Sequence, residues 1–88
     1  MRPRSTNDAE ALALSALATT LTDERRARRF LDLSGIDTDE LRRRAAEPVL
    51  LAALIRFLEA HEPDLIDVAE AIGVAPLDLI AAREELEQ

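Results

Sequence analysis

Apolar residues recur along this chain at helical spacing and nowhere at the alternating spacing of a strand. Ala11, Leu14, Leu17, Ala18 and Leu21 form one stripe, which predicts a first helix over about Asp8 to Leu21. Asn7 precedes it with a capping oxygen, and Glu10 completes a capping-box pattern. Thr22 can cap a second helix whose first turn carries Asp23 and Glu24, as the helix dipole favours. Ala27, Phe30 and Leu31 form its apolar face, and Gly35 ends it.

Asp37 then caps a third helix that runs to about Ala46, with Glu40 reaching back and Ile36 stapling onto Leu41. Three further starts are marked by proline, which is tolerated in a first helical turn because its missing N–H would be unpaired there anyway. Pro48 opens a helix to Ala60 that is apolar nearly all round, through Val49, Leu50, Leu51, Leu54, Ile55, Phe57 and Leu58. A helix without a polar face is buried on several sides, so it is expected at the centre. Pro63 opens a fifth helix with Leu65, Val68, Ala69 and Ile72 inward and Gly73 at its end. Pro76 opens a sixth, with Leu79, Ala82 and Leu86 on one side. The pattern predicts an all-α fold: a compact orthogonal bundle of five to six short helices around a central apolar helix. Residues 1–6 read as a flexible N-terminal tail and residues 7–88 as a single all-helical domain. The expected core is Leu14, Leu17, Leu21, Phe30, Leu31, Leu41, Leu51, Leu54, Ile55, Leu58, Val68, Ile72, Leu79 and Leu86.

Composition narrows the function classes. With 88 residues, 48 % of them apolar and 33 % charged, the chain is too apolar for disorder and too charged for a membrane protein. It has no cysteine, which removes disulfides, thiol catalysis and thiolate metal sites together. The net charge of −7 is uneven. Residues 1–46 hold nine Arg against eight acids, a balance of +1, and residues 47–88 hold two Arg against ten acids, a balance of −8. An acidic half repels nucleic-acid phosphates and anionic membranes. Arg2 and Arg4 ahead of the run Ala11 to Ala18 superficially suggest an export signal. Asp8 and Glu10 interrupt that approach, so a packed helix and a cytoplasmic location are expected.

The most specific local motif is a helix-turn-helix pattern. Ala69 is small where a second helix would cross, Gly73 makes the turn, and Val74 and Leu79 lock the two helices. The reading residues are missing, since base and phosphate contacts need Arg, Lys, Asn or Gln where this chain has Leu77 and Asp78. A tight helical corner is the better account. Gly35 to Leu41 and Gly73 to Leu79 resemble each other for the same reason, not as copies of a repeat.

The earlier half offers seven arginines on two adjacent helices: Arg25, Arg26, Arg28, Arg29, Arg42, Arg43 and Arg44. They form the candidate interaction patch, for an acidic protein or for nucleic acid. Glu24–Arg28, Asp39–Arg43 and Glu40–Arg44 sit at the i, i+4 spacing that pairs charges along a helix, so some of the cluster reads as a solvated face. Arg25, Arg26, Arg29 and Arg42 have no such partner, and inward reach toward the acidic fifth and sixth helices would occupy some of them. His61 with Glu62 and Asp64 is a weak metal pattern. Ser5, Ser15 and Ser34 lack a neighbouring base, and both glycines are spent on helix ends, leaving none for a phosphate loop.

The runs Ala9 to Leu14, Arg29 to Gly35 and Asp39 to Arg42 resemble a small bacterial family of proteins of unknown function. Leu51 to Leu54, the pair Phe57 and Leu58, and the turn at Gly73 are similar to it as well. The resemblance covers nearly the whole chain beyond the tail and implies a short, cytoplasmic, all-helical protein. It brings no activity, ligand or site residue.

The expected function is therefore a non-enzymatic protein-protein interaction module. Its partner is an unidentified protein, a second copy of the chain included, so a homodimer is among the expectations. The alternative is a degenerate helix-turn-helix nucleic-acid binder acting through the Arg-rich second and third helices. Nucleic acid is the disfavoured partner, and no membrane, cofactor, metal site or catalytic residue is expected. Leu12, Leu50, Ile66, Leu77 and Ile80 lie off the main stripes and are the expected exposed apolar cluster.

Overall fold

A computed structural model describes residues 6–88 and shows six helices, with no strand among the described residues. They are α1 (Thr6–Leu21), α2 (Glu24–Ser34), α3 (Thr38–Arg44), α4 (Pro48–Glu59), α5 (Glu62–Ile72) and α6 (Pro76–Leu86). Of the predicted tail, residues 1–5 lie outside the described residues. Thr6 already belongs to α1, so the helix starts before Asn7, the residue expected to cap it.

Local chemistry sets most of the boundaries. Asp23, and not the expected Thr22, caps α2 by accepting the Arg26 N–H at 3.0 Å. That hydrogen bond holds the Asp23 carboxyl below its ordinary value. Asp37 caps α3 through the Glu40 N–H at 2.8 Å. The Glu40 side chain pairs with Arg44 at 3.0 Å rather than reaching back to the cap, and α3 stops at Arg44, short of Ala46. Gly35 and Gly73 end α2 and α5 at φ of 76° and 77°, in the left-handed region. At the second of these ends the Val74 N–H reaches back to the Ala69 carbonyl at 3.0 Å and the Gly73 N–H to Glu70 at 3.1 Å.

Helices α1, α4 and α6 pack mutually and α5 closes against all three, while α2 rests on α1. Leu51, Leu54, Ile55, Leu58, Val68 and Leu79 are the large side chains at the centre. Two expectations about the packing change. Helix α1 turns Ala9, Ala13, Ala16, Leu17 and Thr20 inward, and Leu14 and Leu21 stand in solvent at 45 % and 38 % exposure. Alanine at successive turns lets α1 approach its neighbours closely, which a leucine face would prevent, and the Thr20 hydroxyl is satisfied by the Ala16 carbonyl at 2.8 Å. Leu31 and Ile72, also expected in the core, are half-buried at its edge. The apolar α4 is buried on several sides, as expected, and leaves one line exposed: Val49, Ala53 and Arg56, continued by Ala60 at its C-terminal cap.

Candidate functional site

The exposed line on α4 is a crest between two depressions. Val49, Ala53, Arg56 and Ala60 follow i, i+4, i+7, i+11 spacing, one face of a helix. On one flank, a groove of about 640 Å³ lies between α2 and α4, lined by Arg29, Phe30, Leu33, Phe57 and His61 together with the crest residues Ala53, Arg56 and Ala60. On the other flank, Val49, Ala52 and Ala53 face Leu86 and Gln88 at the end of α6. Leu33 and Val49 are 73 % and 74 % exposed, among the most exposed large apolar side chains of the described residues.

The groove is built rigidly. Phe30 and Phe57, the two aromatic residues of the chain, meet edge to face at 5.3 Å between centroids. The Arg29 guanidinium lies over the Phe57 ring at 5.3 Å. Behind it Asp64, buried in the first turn of α5, gathers three bases. It accepts from Arg26 Nε at 2.9 Å and from Arg29 Nη2, and His61 Nδ1 stands 3.0 Å away. Burial alone would raise the Asp64 carboxyl, but the His61 and Arg26 hydrogen bonds and the charges of Arg26 and Arg29 outweigh it and hold it low. Along the other flank, Arg56 grips Glu87 at 2.5 and 2.8 Å, and Arg83 joins Glu87 at 2.8 Å to Glu59 at 2.6 and 3.2 Å. The hydrogen bonds from Arg56 hold Glu87 down at about 2, with burial opposing them and Arg83 adding to them.

The seven-arginine patch divides. Arg26 and Arg29 turn inward to Asp64, as the acidic later helices suggested, and Arg26 also reaches Asp67 at 3.4 Å. Arg44 pairs with Glu40 at 3.0 Å and Glu47 at 2.9 Å. Among the described residues, Arg25, Arg28, Arg42 and Arg43 have no carboxylate within 4.0 Å, so the anticipated Glu24–Arg28 and Asp39–Arg43 pairs do not form. Of the apolar cluster expected at the surface, Leu50 is buried and Leu12 and Ile80 pack half-buried on the core, leaving only Ile66 and Leu77 in solvent. The second apolar depression is elsewhere, between α1 and α3, where Leu14, Ala18 and Leu21 face Thr38, Leu41 and Ala45 across about 310 Å³. No group of three metal-ligating side chains occurs among the described residues, and the Asp64 oxygens are taken by arginine and histidine. No helix of the described residues is long and apolar enough to cross a membrane.

The helix-turn-helix corner of α5 and α6 has the packing such a corner needs. Ala69 and Leu79 are fully buried and Val74 is half-buried. Leu77 stands 74 % exposed at the start of α6, and the Asp78 carboxylate is turned onto the Ala75 N–H at 2.9 Å. Fold and surface together define a small all-α domain whose surface carries both apolar depressions and clefts lined by charged side chains of α2. The chain belongs to the family described as "Protein of unknown function (DUF3572)", which matches residues 6–88. Neither a curated protein nor a solved structure matches it.

Proposed function

We propose that this domain is a non-enzymatic protein-interaction module and that the crest of α4 with its α2-side groove is the docking surface. The observation that carries the reading is the gathering of Val49, Ala53, Phe57, Ala60 and Leu33 around Arg56 at the surface of a domain this small. Single exposed apolar residues are ordinary, but a contiguous apolar strip with polar margins marks a partner surface. The α1–α3 depression adds a second apolar seat of the same kind. A photo-crosslinking amino acid at position 53, irradiated in the native cell, is expected to give discrete protein adducts that the same group at Ala81 does not. Adducts from neither position, or equal adducts from both, would remove the reading.

One observation favours a second reading, binding of nucleic acid: Arg25, Arg28, Arg42 and Arg43 are unpaired among the described residues. Phosphate contacts weaken steeply with salt, so duplex DNA titrated at low salt is the sensitive test. Absence of binding there ends that alternative.

A further inference from the structure

His61, the single histidine of the chain, is held so that its two ring nitrogens meet different surroundings. Its backbone is fixed at the corner between α4 and α5. The His61 N–H donates to the Leu58 carbonyl at 3.1 Å, and the His61 carbonyl accepts from the Asp64 N–H at 2.9 Å. From that corner Nδ1 stands 3.0 Å from Asp64 Oδ2, on a carboxylate only 7 % exposed. The Asp64 carboxyl is held low and is therefore ionised at neutral pH. A neutral imidazole carries one ring proton, and an anionic acceptor beside Nδ1 keeps it there. Nε2 then has the free lone pair, on a side chain that is 55 % exposed. A carboxylate behind an accessible imidazole favours nucleophilic attack by the ring, because it fixes the tautomer and offsets the charge the ring acquires.

The cleft around the ring selects the electrophile. It measures about 210 Å³, lies between the first turns of α2 and α5, and is lined by Asp23, Arg25, Arg26, Arg29, His61 and Asp64. Arg26 and Arg29 are taken up by Asp64. Arg25 is exposed and has no carboxylate within 4.0 Å among the described residues, so one guanidinium beside the ring is left for an anionic group. The ring borders the α2–α4 groove as well, so a donor reaches it from open surface.

We infer that Nε2 of His61 accepts a phosphoryl group from an acyl phosphate, with Arg25 holding the transferred oxygens. The Nε2 lone pair attacks phosphorus, the N–P bond forms, and the P–O bond to the acyl group breaks, so a carboxylate leaves with the bonding pair. No proton leaves Nε2, so the ring becomes cationic, and Asp64 against Nδ1 offsets that charge. Asp64 acts through the ring and is a positioning residue. The inference goes beyond the interaction reading and does not need it, since a small donor suffices. The full chain is incubated with acetyl phosphate at neutral pH, and phosphate that survives alkali but is lost in acid is followed by phosphorus NMR. Transfer to the folded chain is expected to be at least about tenfold faster than to the same chain unfolded in urea. It is expected to vanish in His61→Gln, to slow at least about threefold in Arg25→Gln, and to be unchanged in Arg28→Gln. Nitrogen NMR is expected to place the proton of the neutral ring on Nδ1, and circular dichroism checks that each variant is folded. The inference is overturned by the absence of such phosphate, by equal rates for folded and unfolded chains, by the same phosphate on His61→Gln, by equal rates in Arg25→Gln and Arg28→Gln, or by a ring proton on Nε2. None of these outcomes touches the crosslinking result at position 53, so the two readings fail separately.

Discussion

Arg26 donates through Nε to Asp64 Oδ1 at 2.9 Å, joining α2 to the first turn of α5 across 38 residues of sequence. Together with the packing of buried Phe30 against Phe57, this buried carboxylate helps set where the α2 wall of the groove stands. Asp64→Asn keeps the shape and removes the charge that three bases share. We expect it to cost about 2 kcal/mol, a fall in Tm of roughly 10 °C. Thermal melts at neutral pH check this, and a variant as stable as the original would contradict it.

The same carboxylates predict how the fold responds to acid. A carboxyl held low when folded takes up its proton more readily when unfolded, so its stabilisation is complete above the unfolded value and fades as pH falls through the folded one. Asp64 is lowered from 3.8, and Glu87 from 4.5 to about 2. Urea midpoints are expected to hold steady above that range and to drop as pH falls from about 4.5 toward 2. The drop is expected to be shallower in Glu87→Gln, whose glutamine cannot titrate. Equal slopes in the two proteins would count against the assignment.

Core and surface leucines of equal standing in the sequence separate in cost. Leu54 is fully buried, and Leu54→Ala is expected to lose about 3 kcal/mol. Leu14 is 45 % exposed, and Leu14→Ala is expected to lose less than about 1 kcal/mol. Chemical denaturation of the two variants side by side provides the comparison.

That contrast shows what the sequence carries and what it omits. Helix ends were legible because their causes are local: Asp37 at an N-terminus, Gly35 and Gly73 in left-handed turns, and Pro48, Pro63 and Pro76 in first turns. The inward face of α1 was not, because two of its faces are apolar at the same period. The leucines outweighed Ala9, Ala13 and Ala16 in any hydrophobic ranking, while the value of alanine lies in close approach to helices distant in sequence. The crest of α4 was hidden for a related reason, since Val49 and Ala53 carry no polar mark. The Arg surplus announced that some guanidinium groups would turn inward, but which carboxylate they would find depends on the fold.

Arginines on one helix should behave in opposite ways. Arg28 is exposed with no carboxylate within 4.0 Å among the described residues, and Arg28→Gln is expected to change stability by no more than about 0.5 kcal/mol. Arg26, on the opposite side of α2, has a side chain only 15 % exposed and bonded to Asp64. Arg26→Gln is expected to be destabilising by about 1 to 2 kcal/mol. Equal melting temperatures for the two variants would refute the division of the arginine cluster.

Gly73 isolates a backbone effect. A methyl group there would meet nothing within 4 Å, yet φ is +77°. Gly73→Ala is therefore expected to cost about 1 kcal/mol from the left-handed conformation alone, measured as a lowered urea midpoint with an unchanged slope.

Helix α3 is joined to the rest of the fold chiefly through buried Leu41, with Ile36 and Ala45 at the margin, and its ion pairs close on itself and on Glu47. An element so lightly held is expected to open at lower free energy than α1, α4 and α6, which pack mutually at the centre. Such an opening is expected to widen the Leu14–Leu21 depression, whose far side α3 supplies, while the central helices keep their packing.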